Sequence, residues 1–196
     1  MNNQISRRRF CALVGATALY VTPASAFSTG QAEAVINNVV AEINRIISSG
    51  KSESAMIRDF EGVFGRYADT GRIGNLVLGP PARSASQSQR TAFANAFRSY
   101  MAKKYGRRFR EFIGGQVVLD SAKAVKSFYE VKTTAHLAGV APFEVVFVVA
   151  DKNGLFIDMK IEGISLVKAE RSEIGAMLDQ RNGDLDRMIA DLKSGR

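Results

Sequence analysis

Between Ala32 and Ile47 the apolar residues Ile36, Val39, Val40, Ile43 and Ile47 recur at three- to four-residue spacing, which lays one stripe along a helix. Ser48-Ser49-Gly50 ends the pattern. The same spacing predicts a second helix over Ser54–Tyr67, carrying Ile57, Phe60, Val63, Phe64 and Tyr67. A short helix over Ile73–Leu78 is turned by Gly79-Pro80-Pro81. A longer one is predicted over Ser86–Phe112, with Ser86 as its cap and Gly106 as a point of interruption. Phe93, Phe97, Tyr100, Met101, Tyr105 and Phe109 share its broad apolar face.

After Gly114-Gly115 the period changes from 3.6 to two. Strands are predicted over Gln116–Leu119, Ser127–Leu137, Phe143–Ala150 and Leu155–Glu162, with a hairpin at Asn153-Gly154. Phe143–Val149 is apolar on nearly both faces, which places it centrally in a sheet. In the last strand Ile157, Met159 and Ile161 are expected on one face, and Asp158, Lys160 and Glu162 on the other. Ile164–Val167 reads as a continuation past a bend or bulge at Gly163. Helices over Ser172–Leu178 and Leu185–Leu192 close the chain. Helices, then a mainly antiparallel sheet, then helices make an α+β domain with helices on one sheet face.

Residues 1–26 are read as a cleaved export signal rather than as part of the fold. Asn2–Arg9 is polar and basic, Phe10–Val21 is mostly apolar and small, and Ala24-Ser25-Ala26 has the small-x-small form of a cleavage site. Ser6-Arg7-Arg8-Arg9-Phe10 resembles a twin-arginine signal. The apolar run falls short of the roughly 20 residues that span a bilayer, which argues against a retained anchor. Cleavage leaves residues 27–196 as one domain. The sole cysteine, Cys11, departs with the signal, so apolar burial rather than a disulfide must hold the mature chain. Arg7, Arg8 and Arg9 depart as well, leaving a formal charge three units below the +8 of the full chain. That balance favours anionic partners, and for an exported chain these are membrane phosphates rather than nucleic acid.

Candidates for catalysis are few. His136 is the only histidine, which excludes a multi-histidine metal site, and no nucleophile elbow accompanies it. Asp158 and Glu162 would stand roughly 13 Å apart along a strand. Paired acid–base carboxylates need about 5–10 Å. Gly114-Gly115 precedes a strand, whereas a dinucleotide loop follows one, and no lysine-bearing phosphate loop is present. Lys103, Lys104, Arg107, Arg108 and Arg110 read either as a solvated helix surface or as an attraction for lipid phosphates or an acidic partner. The apolar inventory says more. Phe60, Val63, Phe64, Tyr67, Leu76, Leu78, Phe93, Phe97, Tyr100, Met101 and Tyr105 can oppose Ile157, Met159 and Ile161. Such a helix-covered sheet either closes as a solid core or opens into a hydrophobic cavity, and periodicity alone leaves both open.

The run Asp158-Met159-Lys160-Ile161-Glu162-Gly163-Ile164-Ser165-Leu166-Val167, followed by Arg171 and preceded by the Asn-Gly hairpin, resembles the MlaC or toluene-tolerance family. Leu76-Val77-Leu78-Gly79, Gln89-Arg90, Phe93, Phe97, Tyr100 and Tyr105 form a second matching region, and Gly183-Asp184-Leu185 with Ile189 and Leu192 a third. The resemblance spans essentially the whole mature chain. There are departures: Ala82 stands where an aromatic is common, Leu155-Phe156 replaces a tryptophan-led strand start, and Ala169-Glu170 replaces a polar-aromatic pair.

The resemblance implies an MlaC-like fold in which N-terminal helices pack over a curved, mainly antiparallel C-terminal sheet and hold acyl chains between the two layers. It implies a monomeric periplasmic phospholipid carrier, not an enzyme, with bound phospholipid as cargo and no cofactor or metal. The implied partners are an outer-membrane lipoprotein–porin complex and an inner-membrane substrate-binding domain with its ABC transporter, the role being outer-membrane lipid asymmetry. The expected acyl-chain wall is Val63, Phe64, Tyr67, Leu76, Leu78, Phe93, Phe97, Met101, Ile157, Met159, Ile161 and Ile164. Lys103, Lys104, Arg107 and Arg108 are expected to attract a headgroup or a partner. Two other readings stand beside it: a ligand-free periplasmic protein-interaction module, and an exported hydrolase using carboxylates.

Overall fold

Two capping boxes set the longest helices. Ser28 and Ser86 each accept from the backbone N–H three residues on, while the side chains of Gln31 and Gln89 accept from the cap N–H in return. They open α1 (Thr29–Ile47) and α4 (Gln87–Gly106). Between these lie α2 (Glu53–Tyr67), α3 (Thr70–Leu78) and a 3-10 turn over Pro80–Arg83. The computed structural model describes residues 27–107 and 111–194. The export segment, Cys11, Arg108, Phe109 and Arg110 lie outside the described residues.

α4 ends at Gly106, not at Phe112. Gly106 presses so closely on α2 that a Cβ there would stand 2.7 Å from Ile57 Cγ1. The residue that permits this packing is also a weak helix former, so the helix stops where the contact is made.

β1 (Gln116–Val125), β2 (Phe128–His136), β3 (Phe143–Ala150), β4 (Phe156–Ile161) and the short β5 (Ile164–Ser165) form an antiparallel meander in chain order. β3 is the middle strand, as its two apolar faces predict. Strand β1 runs to Val125, well past the predicted Leu119, because Ala122, Lys123 and Ala124 still pair with β2 beyond a register shift at Leu119/Ser121. The Asn44 side chain binds both backbone groups of Val117, donating at 2.9 Å and accepting at 2.8 Å, and so ties α1 to the start of β1.

A second irregularity reassigns the last strand. Val148 pairs with Asp158 but Val149 pairs with Phe156, so Ile157 is the extra residue of a bulge. Strand parity changes there. Phe156, Met159 and Ile161 pair with Val149, Phe147 and Val145, and it is Phe156 rather than Ile157 that joins Met159 and Ile161 on the helix side.

Glu162 and Gly163 both have positive φ, at 50° and 78°, and form the two-residue hairpin between Ile161 and Ile164. The expected continuation to Val167 is cut short, since α5 (Leu166–Asp179) begins at once. Ser165 caps it by accepting from Lys168 N–H at 3.2 Å. Asp158 adds a second clasp, accepting from Ser165 Oγ at 2.6 Å and from Val167 N–H at 3.0 Å. α6 (Leu185–Ser194) completes the fold.

Helices cover one face of the sheet. α1 lies along β1 and reaches β2, α2 touches α1 and α4, and α3 contacts α4, α5 and β4. Asp69 N–H donates to the Phe156 carbonyl at 2.9 Å, pinning the α2–α3 junction to β4. The opposite face carries charges: Glu130 pairs with Lys160 at 2.6 Å and Lys123 at 3.0 Å, and Lys132 with Glu144 at 2.7 Å. Hydrogen bonds from Lys160 and Lys123 hold the Glu130 carboxyl below its usual value. Such pairs, exposed or only partly buried at the surface, contribute about 1 kcal/mol each, so they solvate this face rather than hold the fold together.

Candidate functional site

Between the helical layer and the sheet the apolar surfaces do not close. A cavity of about 360 Å³ remains. Val39 and Ile43 border it from α1, Phe60, Val63 and Phe64 from α2, Ile73 and Val77 from α3, and Phe97 and Met101 from α4. The sheet contributes Val117, Ala135, Val145, Phe147, Phe156, Met159 and Ile161. These side chains alternate along their strands and meet across them in register, as Val145 with Ile161 and Phe147 with Met159. Edge-on contacts of Phe156 with Phe64 at 5.7 Å and Phe147 at 5.5 Å fix the wall at the bulge. Glu111 and Val140 border the same space and are exposed, which marks its mouth beside the β2–β3 loop.

Of the residues expected at an acyl-chain wall, Val63, Phe64, Phe97, Met101, Met159 and Ile161 border the cavity. The others lie elsewhere, each for a local reason. Tyr67 turns its hydroxyl to Glu42 at 2.9 Å, beside Arg66. Leu78 and Phe93 are buried in solid core, Phe93 stacked on Phe97 at 5.7 Å. Ile157 is displaced by the bulge. Ile164 is 68% exposed in the hairpin, and Leu76 edges a shallow recess with Gly79, Pro80, Arg83 and Arg171.

Several cavity residues escaped the sequence reading. Val145 and Phe147 lie in a strand apolar on both sides, where periodicity gives no face. Ala135 is too small to stand out. Leu137, Val140 and Phe143 flank a loop whose return over the cavity depends on β2–β3 pairing.

The basic residues divide. Lys103 and Arg107 are exposed, and Arg108 lies outside the described residues. Lys104 instead enters a polar cluster at the cavity wall. Its ammonium donates to Glu170 Oε1 at 2.8 Å and to Glu173, while Tyr105 donates to the same Glu170 oxygen and Tyr100 to Glu173. Burial pulls the Lys104 ammonium down, but its bonds to Glu170 and Glu173 outweigh this and hold it well above its usual value. Burial first, then the Glu170 bond, pushes the Tyr105 hydroxyl up. The Lys104 bond, then that of Tyr100, holds Glu173 below the ordinary carboxylate range.

Burial, with the bond to Glu173 behind it, raises the Tyr100 hydroxyl from 10.0 to about 12. A phenol raised on folding stabilises the fold while neutral, and loses that contribution as pH climbs through the folded value. Thermal unfolding should therefore show stability falling between about pH 10 and pH 12, and Tyr100→Phe should flatten part of that fall. An unchanged slope in Tyr100→Phe would exclude this residue as a source.

The candidates for catalysis remain apart. His136 is exposed at the end of β2. Asp158 is committed to Ser165 and Val167, and Glu162 accepts from Glu144 N–H at 2.7 Å. Among the described residues no group of three His, Cys, Asp or Glu could hold a metal, and no helix is long and apolar enough to cross a membrane.

The fold has a solved counterpart. A phospholipid-binding protein from Ralstonia solanacearum, determined in complex with a phospholipid, aligns over 85% of this chain and 99% of its own at a TM-score of 0.64 and 17% identity. At that identity the likeness establishes architecture. The family model described as MlaC protein matches residues 33–194, from the first turns of α1 to the end of α6. This match runs through every described element that builds the cavity, and the chain belongs to the MlaC family.

Proposed function

We propose that this protein binds phospholipid by its acyl chains and carries it without making or breaking bonds. The observation that carries the reading is the apolar cavity. Its lining is mostly apolar, so an acyl chain that enters by the mouth exchanges water for hydrocarbon surroundings, and each methylene so moved contributes about 0.8 kcal/mol. The volume lies at the small end of the roughly 300–1,000 Å³ range of ligand sites, so a second chain requires the helical cover to shift. The lipid bound to the Ralstonia protein of the same fold supports the choice of ligand.

Family membership extends the reading. The carrier is exported by means of residues 1–26, and residues 27–196 work as one domain in the periplasm. It passes lipid between an outer-membrane lipoprotein–porin complex and an inner-membrane substrate-binding domain with its ABC transporter, which maintains outer-membrane lipid asymmetry. No phosphate loop occurs in the chain, so directional energy comes from the partner system. Exposed Lys103 and Arg107 favour approach to anionic surfaces, whereas Lys104 is held by Glu170 and Glu173.

Native mass spectrometry of gently purified protein tests the reading. Reproducible mass additions matching phospholipids are expected. A folded protein that carries none, and takes none up from vesicles, would be a ligand-free interaction module instead.

A further inference from the structure

Five large apolar side chains stand exposed among the described residues, and four of them, Ile113, Val118, Val140 and Ile164, gather at one end of the sheet. The antiparallel register fixes that end. Gln116 pairs with His136, Ala135 with Phe143 and Val145 with Ile161, so the turn before β1, the β2–β3 loop and the β4–β5 hairpin all emerge there. Ile113 lies in the turn, Val140 in the loop and Ile164 at the hairpin, with Val118 just inside β1. Turn and loop touch at Gly115, where a Cβ would stand 3.1 Å from Leu137 Cδ2. Leu137 and Val140 also border the cavity, so the exposed apolar surface continues into its mouth. Cations flank this end on the helical side. Gly106 lies against Ile57, and beside that contact Arg58, Lys103 and Arg107 are all exposed. The acids near them are already engaged: Asp59 by Lys51 at 2.6 Å and Glu162 by the Glu144 N–H at 2.7 Å, while Glu53 and Glu111 have partners of their own.

We propose that this end of the molecule seats itself on an anionic bilayer and that lipid passes between bilayer and cavity directly across it. This rests on the phospholipid reading given above and adds to it a surface and a route. An acyl chain crossing open water would expose every methylene, whereas an apolar margin joined to the mouth keeps the chain covered. The headgroup stays at the mouth, in contact with water. Contact with a bilayer strengthens with the apolar area it buries and with cations near anionic lipid, and this end offers both. The layout also favours a bilayer over a protein. Neighbouring strands stand about 4.8 Å apart, so Ile113 beside β1 and Ile164 on β5 are spread over several strand widths on separate turns. A fluid surface accepts each such tip independently, while a rigid partner would have to match them all.

The test is flotation of the purified protein with vesicles, read beside its rate of uptake of a fluorescent phospholipid from them. At low salt, vesicles of equal parts phosphatidylglycerol and phosphatidylcholine should hold about fivefold more protein than phosphatidylcholine alone, a preference that fades as salt is added. Ile113→Asp combined with Ile164→Asp should lower both flotation and uptake rate about tenfold. Neither residue borders the cavity, so the lipid carried at equilibrium should persist. At 54% and 68% exposed, both should accept the change with an unaltered melting curve. Leu76→Asp, in the separate recess beside Arg171, should change none of these readings. A protein that carries lipid yet does not float, or floats equally with both vesicles, overturns the proposal and leaves lipid carriage standing. So does flotation that survives the paired substitution, which would return these side chains to a protein partner. Flotation by a protein that never carries lipid overturns the carrier reading instead. The comparison of the two vesicles decides the matter by itself if the paired variant does not fold.

Discussion

Ala135→Phe is expected to cut the lipid bound per protein by more than about tenfold while leaving the thermal midpoint of the lipid-free protein unchanged or raised. Ala135 is 1% exposed on β2, pairs with Val117 and Phe143 in the neighbouring strands, and borders the cavity. A phenyl ring there occupies the room of roughly five methylenes, which at about 0.8 kcal/mol each withholds some 4 kcal/mol from an acyl chain. Part of that is recovered if the chain shifts, hence the more modest expectation. The stability readout separates two pictures. In a solid core the added ring would overpack and destabilise by about 1–3 kcal/mol. In a lipid-sized space it fills a void. Lipid-to-protein ratio from native mass spectrometry, with a melting curve beside it, reads both. Undiminished lipid in a folded variant would remove Ala135 from the binding wall.

Phe97→Ala should do the reverse, destabilising strongly while sparing the ligand. Phe97 is 1% exposed and lies between Phe93 at 5.7 Å and Tyr100 at 6.0 Å, with one edge toward the cavity. Removing a buried phenyl costs about 3–5 kcal/mol. For a domain of this size that corresponds to a drop in Tm of roughly 10 °C. The deletion enlarges the space beside Met101, so protein that remains folded at low temperature should still load phospholipid. A melting midpoint within about 2 °C of the unaltered protein would mean that the ring carries little of the packing assigned to it. The first substitution thus lowers loading without lowering stability and the second lowers stability without abolishing loading, which no single loss of fold would do.

The order of helices and strands was legible because each rests on local chemistry. The stripe from Ile36 to Ile47, the Ser86 cap and the Asn153-Gly154 turn need no distant partner to be recognised. The central position of β3 followed from its two apolar faces. The misread boundaries share one cause, a contact between separate elements. α4 stops at Gly106 because Ile57 lies against it, and α5 starts at Leu166 because Asp158 reaches over to its first turn. Phe156 took the place assigned to Ile157 for a related reason, since strand parity holds only until a neighbouring strand forces a bulge.

The candidate site was legible in composition and less so in membership. Val63, Phe64, Phe97 and Met101 stand on helix faces that the period identifies, and they border the cavity. Leu78 and Phe93 sit on equally apolar faces and are sealed in core. Lys104 looked like its basic neighbours and is instead drawn inward by Glu170, a residue sixty-six positions away.

By itself, then, the sequence determined which segments become helices and strands, and that the strand in the middle of the sheet is apolar on both faces. Only the tertiary structure decided where the apolar layers part and which side chains border the gap. Local patterns specify what a residue prefers to touch, whereas the gap depends on how two whole layers are held apart by bulges, caps and crossing helices.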